Sequence, residues 1–309
     1  MSNAPLPIPT KITVVIPCFN EAVCLVGMLD ELWVQMERVQ AATRIEYDVI
    51  LVDDGSLDDT WKIIEEQCSR CTQLSGIRLR VNAGQQAALL CGYTHAQGDW
   101  VLTLDADLQD PPAVLADMLR LTYDEAEIVI GRRRSREFDT PLKRMTAFGF
   151  YRMMQVLGVS VETMEAGDFR LMSRAAVGAL VSTSRVPLFH RFKVFDLGFP
   201  IASVEYDRGM RLAGDTKYSY RRMIELAFQA AWSSRQARRR LAAICVAVQI
   251  ASVFLITSLA IVLGNLWPAL AAGSLQLAAL AVFLVPAVCF MWERSENVPC
   301  FQVAQRCGN

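Results

Sequence analysis

Histidine is scarce in this chain, which has two among its 309 residues, His95 and His190. This scarcity leaves little support for a histidine-based zinc site or for a Ser-His-Asp triad. Neither GxGxxG nor GxxxxGK[ST] occurs, so no motif supports a dinucleotide-binding fold or a P-loop NTPase. An excess of charge of one sign is also missing, because the net charge is -1, and this argues against a nucleic-acid partner.

Cysteine is not scarce, with nine residues, but its pattern excludes two common roles. The odd count and the scattered positions argue against a disulfide framework. Cys68-x-x-Cys71 has no second pair at metal-ligand spacing, which argues against a zinc site. We therefore expect reduced thiols.

Residues 241–292 contain no Asp, Glu, Lys, Arg or His. The block divides at 264–268 into the stretches 241–263 and 270–292. Each would be about 34 Å long as a helix, enough to cross ~30 Å of hydrocarbon. We therefore predict a two-helix transmembrane hairpin; a buried helical hairpin in a large soluble core is the alternative.

Charges beside this block suggest its orientation. Arginines at 235 and 238–240 precede the first stretch, and the connecting turn is uncharged. The positive-inside tendency then places both termini in the cytoplasm, and we predict a multi-pass protein of the bacterial inner membrane. Residues 219–240 are predicted to form an amphipathic juxtamembrane helix, and 293–309 a cytoplasmic tail.

The first 130 residues alternate between strand and helix patterns. Continuous apolar runs indicate buried parallel strands at 11–16, 48–52, 77–81, 100–104 and 126–130. Helical spacing of apolar residues indicates helices at 21–40, 58–71 and 85–97. This alternation predicts an α/β fold with a mostly parallel sheet, whose ligands gather at the carboxyl ends of the strands.

The strongest local motif follows the strand at 100–104. Asp105, Asp107 and Gln109 place oxygen-bearing side chains at alternate positions, where they can converge on one hard divalent cation such as Mg²⁺ or Mn²⁺. If a ligand carrying phosphate groups bound here without a cation, repulsion between each phosphate charge and a carboxylate 4 Å away would cost about 4 kcal/mol of binding free energy in a partly screened site. The alternative is a solvated acidic turn with a helix N-cap.

A set of motifs along 11–220 resembles the GT-A glycosyltransferases of family 2. The motifs are VIPCFNE at 15–21, VDDGS at 52–56, Asn82-x-Gly84, Gly98-Asp99, DADLQDPP at 105–112, DFRL at 168–171 and RLAGDTKY at 211–218. The combination is similar to the polyprenyl-phosphate branch of that family. The resemblance implies a GT-A nucleotide-sugar-binding fold over a catalytic domain at 1–218.

The resemblance also implies a role for particular residues. Metal ligands would be Asp105, Asp107 and Gln109. The nucleotide-sugar pocket would contain Pro17, Phe19, Glu21, Val52, Asp53, Asp54, Asp105, Ala106 and Arg133. Catalytic roles would fall to Asp107, Asp168, Arg170, Arg211 and Lys217, and the acceptor phosphate would meet Arg136, Arg211 and Lys217. The alternative for Asp168 is a structural ion pair with Arg170 and no catalytic role. The alternative for the basic residues is a solvated surface without a ligand.

The implied activity is a metal-dependent, inverting transfer of a hexose to undecaprenyl phosphate. The expected hexose is glucose, and the expected donor is UDP-glucose. The implied partners are the nucleotide sugar, the polyprenyl phosphate, the lipid bilayer and further copies of the chain in a homotetramer. Two alternatives stay open: a glycosyltransferase with another lipid or glycan acceptor, and an inactive membrane scaffold of the same fold. The motifs do not specify which sugar or nucleotide is used.

Overall fold

The computed structural model describes residues 9–134, 167–183, 193–207 and 301–308, with single helical positions at 152 and between 240 and 258. The strands are β1 (Lys11–Cys18), β2 (Glu46–Asp53), β3 (Leu74–Leu79), β4 (Trp100–Thr103), β5 (Ile128–Arg133), β6 (Arg170–Ser173), β7 (Ile201–Tyr206) and β8 (Val303–Cys307). The helices are α1 (Leu25–Thr43), α2 (Thr60–Arg70), α3 (Gln85–His95), α4 (Leu115–Thr122) and α5 (Arg174–Thr183), with 3₁₀ turns at Pro112–Val114 and Val194–Leu197.

The eight strands form one sheet in the order β7-β5-β6-β4-β1-β2-β3-β8. Neighbours pair in parallel except at β6, which is antiparallel to β4 and β5, and at β8, which is antiparallel to β3. The predicted α/β class and mostly parallel sheet are confirmed. Strands β6, β7 and β8 were not predicted, since each is short and lies far along the chain from its partners.

Helices cover both faces of the sheet. Along β1, Val14 and Ile16 join the core cluster beneath α1, and Val15 joins the cluster beneath α3. Both faces of the strand are buried, which explains why its sequence is continuously apolar. Because β1 pairs in parallel with both β2 and β4, the carboxyl ends of these three strands lie side by side at one edge of the sheet.

The predicted multi-pass membrane location is wrong for the chain as the structure describes it. Among the described residues, no helix combines the length and the apolar character that crossing a bilayer requires. The longest, α1, has charged side chains on its exposed face, including Asp30, Glu31 and Glu37. The predicted hairpin at 241–263 and 270–292, apart from single helical positions, and the juxtamembrane helix at 219–240, apart from its last residue, lie outside the described residues.

Candidate functional site

A cavity of about 310 Å³ opens at the edge where β1, β2 and β4 end. It is lined by residues from the end of β1, from the loops after β1, β2, β3 and β4, and from the start of α3: Pro17, Cys18, Phe19, Glu21, Asp54, Asn82, Gly84, Gln85, Asp105, Ala106 and Asp107. Most of the residues predicted for a nucleotide-sugar pocket therefore line this cavity. Val52, Asp53 and Arg133 are not among the lining residues.

Hydrogen bonds tie the loop after β1 to the loop after β2. Asn20, whose φ is 57°, accepts the Leu57 N–H at 2.9 Å through Oδ1 and donates its own backbone N–H to Ser56 Oγ at 2.9 Å. The Glu21 N–H donates to Thr60 Oγ1 at 2.9 Å. Asparagine tolerates the left-handed conformation better than most residues, which suits it to this turn.

The two adjacent aspartates at the end of β2 support the loops around them. Asp54 accepts the N–H groups of Ala83 and Gly84 at 2.7 and 2.9 Å, one on each oxygen. Burial raises the pKa of Asp54, and these two N–H groups counter part of that rise. Asp53 is fully buried and accepts the Ser56 N–H, while Arg78 Nε lies 3.2 Å from its second oxygen as an ion pair outside hydrogen-bond geometry. Both carboxylates thus fix the loops that border the cavity.

The acidic motif after β4 forms a tight turn. Leu108 has a φ of 58°, and the Gln109 N–H donates to Asp107 Oδ1 at 3.1 Å. Gln109 is 6% exposed, and its buried Oε1 has no hydrogen-bond partner within the described part of the chain. A buried amide oxygen without a hydrogen-bond partner, in the same short turn as two carboxylates, suits a hard cation that takes oxygen ligands. The residues present therefore fit the predicted Mg²⁺ or Mn²⁺ site.

Among the described residues, no three His, Cys, Asp or Glu side chains cluster so that they could hold a metal. Asp105 and Asp107 supply two carboxylates, and Gln109 supplies an amide oxygen. Mg²⁺ is commonly bound through one or two carboxylates and completed by the phosphates of a substrate. The pair Asp105 and Asp107 is of that kind.

Arg133 is engaged in a contact that the sequence did not indicate. Its Nη2 lies 3.2 Å from Asp110 Oδ1, and its Nε donates to Tyr206 Oη at 3.2 Å. The Tyr206 hydroxyl also donates to Asp110 Oδ1, which is 1% exposed. The Asp110 carboxylate thereby joins the end of the acidic turn to β5 and β7. The place of Asp110 within the motif at 105–112 could have indicated from the sequence that it matters for the site. No sequence pattern indicated a role for Tyr206.

Asp168 and Arg170 lie at the start of β6 and are both almost fully buried. Arg170 Nη2 donates to Asp168 Oδ1 at 2.7 Å, so the ion pair considered in the sequence is present. Gln86 Nε2 donates to the other carboxylate oxygen of Asp168 at 3.1 Å. The remaining predicted site residues, Arg136, Arg211 and Lys217, lie outside the described residues.

Comparisons with known proteins agree on one family. The family model described as "Glycosyl transferase family 2" matches residues 13–180. The uncharacterized glycosyltransferase YkoT of Bacillus subtilis is 40% identical over 221 residues, which cover 70% of this chain and 65% of YkoT. The prophage bactoprenol glucosyl transferase homolog of Escherichia coli is 31% identical over 219 residues, 71% of this chain and 70% of that protein.

Solved structures offer more distant likenesses. The mannosyltransferase PcManGT of Pyrobaculum calidifontis, in complex with GDP-Man and Mn²⁺, is 18% identical with a TM-score of 0.47, covering 90% of this chain and 87% of that chain. The present chain spans slightly less than two thirds of the first curated relatives it matches, at 65% of their length.

Proposed function

The chain belongs to glycosyl transferase family 2, and on that premise we propose that it transfers a hexose to a polyprenyl phosphate. The proposed donor is UDP-glucose, the proposed acceptor is undecaprenyl phosphate, and the anomeric carbon is inverted. The observation that carries the proposal is the cavity of about 310 Å³ with Asp105 and Asp107 on its wall. The relatives named bactoprenol glucosyl transferases, 31% identical to this chain, support the choice of sugar and lipid.

The residues on the cavity wall have chemistry that suits a nucleotide sugar. Phe19, 41% exposed, offers an aromatic surface beside the pocket, and Glu21 offers a carboxylate for hydroxyl groups. Asp105, Asp107 and Gln109 would hold Mg²⁺ or Mn²⁺. That cation would neutralise the diphosphate of the donor and stabilise the charge on the departing UDP.

Transfer needs little acid–base chemistry from the protein. A polyprenyl phosphate is already an anion at neutral pH, so its oxygen can attack the anomeric carbon while the bond from that carbon to the diphosphate oxygen breaks. One displacement of this kind inverts the configuration and releases UDP. Holding the two reactants in line supplies most of the lowering of the barrier in this proposal.

Basic residues complete the proposed arrangement. Arg136, Arg211 and Lys217 are proposed to bind the acceptor phosphate, because guanidinium and ammonium groups pair well with phosphate oxygens. Asp168 is proposed to act near the sugar or the acceptor, with Arg170 compensating its charge in the buried pair. Arg133 is proposed to lie at the border of the donor site, fixed there by Asp110.

A panel of nucleotide sugars tests the proposal. Purified protein is incubated with each donor, with undecaprenyl phosphate or a diacylglycerol in detergent, and with Mg²⁺ or Mn²⁺, and the lipids are analysed by mass spectrometry. We expect one hexose on undecaprenyl phosphate from UDP-glucose. If a hexose appeared only on diacylglycerol, undecaprenyl phosphate would be rejected as the acceptor. If the hexose came only from another nucleotide sugar, UDP-glucose would be rejected as the donor. If no donor and acceptor pair gave a glycolipid, the proposed activity itself would be rejected.

A further inference from the structure

Two consecutive glutamines open helix α3, and each holds a different carboxylate. Gln85 Nε2 donates to Asp105 Oδ1 at 2.8 Å, and Gln86 Nε2 donates to Asp168 Oδ2 at 3.1 Å. Asp105 follows β4, whereas Asp168 precedes β6. The first turn of one helix therefore contacts acidic groups from two neighbouring strands.

The sheet register explains why these carboxylates need support. Strands β4 and β6 are antiparallel, with Thr103 opposite Arg170. Continuing that register two positions beyond the paired residues would bring Asp105 opposite Asp168. Side chains directly opposite each other point to the same face with Cβ atoms about 4.5–5.5 Å apart, and like charges in that relation destabilise a sheet.

The helix is well placed to counter this repulsion. Its N-terminus carries the positive end of the helix dipole, which favours nearby carboxylates. Gly84, with a φ of 92°, makes the turn from which α3 starts. Two turns along the same face from Gln86, the Tyr93 hydroxyl lies 3.0 Å from Thr103 Oγ1, which anchors α3 against β4. The glutamine amides are thus presented from a helix held against the strand that carries Asp105.

We propose that Gln85 and Gln86 are positioning residues with separate tasks. Gln85 orients Asp105 for the divalent cation and the donor diphosphate. Gln86 orients Asp168, together with Arg170 on the other carboxylate oxygen, and thereby acts on turnover. This inference rests on the proposed function and deepens it, because it divides donor binding and turnover between adjacent side chains.

Methionine substitutions test this division, since methionine keeps the length of glutamine and removes its N–H donors. Mn²⁺ binding in the presence of UDP is followed by electron paramagnetic resonance, and turnover is followed as UDP release with undecaprenyl phosphate. We expect Gln85→Met to weaken Mn²⁺ binding about tenfold, within the range for loss of a group that orients a metal ligand. With saturating Mn²⁺ and donor, its kcat should fall less than that of Gln86→Met.

Gln86→Met should show the opposite pattern, with Mn²⁺ affinity within about twofold of the wild type and kcat lowered about tenfold. The matched control is Gln35→Met. Gln35 Nε2 donates to Glu31 Oε1 at 2.8 Å on the exposed face of α1, which is the same amide–carboxylate contact away from the cavity. The control should change neither quantity, and all three variants should keep the wild-type circular dichroism spectrum at the assay temperature.

Equal effects of Gln85→Met and Gln86→Met on Mn²⁺ affinity, or wild-type affinity in Gln85→Met, would overturn the division of tasks. Wild-type kcat in Gln86→Met would overturn the role of that residue. Absence of UDP release by the wild type would instead reject the proposed function. In that case the Mn²⁺ titrations still decide the inference, because unequal affinities of the two variants support it and equal affinities overturn it.

Discussion

At the scale of single residues, the carboxylates at the carboxyl edge of the sheet differ in what they contact. Asp54, Asp105 and Asp107 all line the cavity, but both oxygens of Asp54 accept backbone N–H groups. Asp110, three residues after Asp107, is buried against Arg133 and Tyr206. The residue type alone therefore does not tell a ligand-binding carboxylate from one that holds a loop.

Replacing Asp110 tests the second role. In Asp110→Asn, Arg133 and Tyr206 lose a charged partner that is 1% exposed, so we expect the free energy of unfolding to fall by about 1–3 kcal/mol. Urea unfolding followed by circular dichroism measures the change. The control is Asp117→Asn, which breaks an ion pair with Arg120 at 3.0 Å between exposed side chains and should cost less than about 1 kcal/mol. Equal costs for the two variants would contradict the anchoring role.

Sequence patterns predicted some of these residues and missed others for a physical reason. The acidic motif at 105–109 stood out in the sequence because oxygen-bearing side chains alternate there directly after an apolar strand. The partners of Arg133 were not recognised, because Tyr206 is 73 residues away and reaches it only through the pairing of β5 with β7. A contact between distant strands leaves no local spacing that a motif could reveal.

At the scale of the elements, strands buried on both faces were the easiest to predict. The apolar runs of β1 and β2 marked them, although each strand extends one or two residues beyond its apolar run. Strand β8 has exposed and half-buried residues and no apolar run, so its place at the edge of the sheet follows only from its pairing with β3. Edge strands with polar faces carry the weaker sequence signal.

Asp99 joins the beginnings of two central strands, and its contacts predict an acid dependence of stability. It accepts the backbone N–H groups of Thr10 and Lys11 at 3.0 and 3.1 Å, as well as the Thr10 hydroxyl. The Thr10 hydroxyl is the main cause of the lowered pKa of Asp99. A group whose pKa is lower in the folded state stabilises the fold above its unfolded pKa of about 3.9, and that contribution is lost as the pH falls through the folded pKa.

We therefore expect Asp99→Asn to lower the urea midpoint at pH 6 and to have a smaller effect at pH 2.5, because the contribution of the wild-type carboxylate declines as it takes up a proton. Asp30→Asn, on the exposed face of α1, serves as the control and should lower the midpoint at neither pH. A deficit of Asp99→Asn that is as large at pH 2.5 as at pH 6 would show that the charge of Asp99 is not the cause.

At the scale of the whole molecule, β8 forms one edge of the sheet, next to β3, and is connected to a loop that borders the cavity. Arg78 on β3 pairs with Asp53, donates to the Ser56 carbonyl at 3.2 Å, and donates to Gln305 Oε1 of β8 at 3.4 Å. On the same strand, Cys307 Sγ lies 2.9 Å from Cys68 Sγ of α2. Strand β8 is thus connected to the loop after β2 through one arginine and to α2 through a thiol contact.

Removing residues 301–309 should expose the hydrogen-bonding edge of β3 and release Arg78 from Gln305. We expect a lower unfolding temperature, measured by differential scanning calorimetry, and a greater tendency to aggregate. Removing residue 309 alone keeps β8 and is the control. An unchanged unfolding temperature in the longer truncation would show that β8 adds nothing to the stability of the sheet.

The proposed function requires that the acidic turn after β4 make the cavity a metal-dependent site for a nucleotide sugar. Calorimetric titration of UDP-glucose with and without Mn²⁺, into the wild type and into Asp107→Asn, tests it most directly. We predict binding by the wild type that requires Mn²⁺ and a loss of at least about tenfold in affinity in a folded Asp107→Asn protein. Equal affinity with and without Mn²⁺, or wild-type affinity in Asp107→Asn, would contradict the claim.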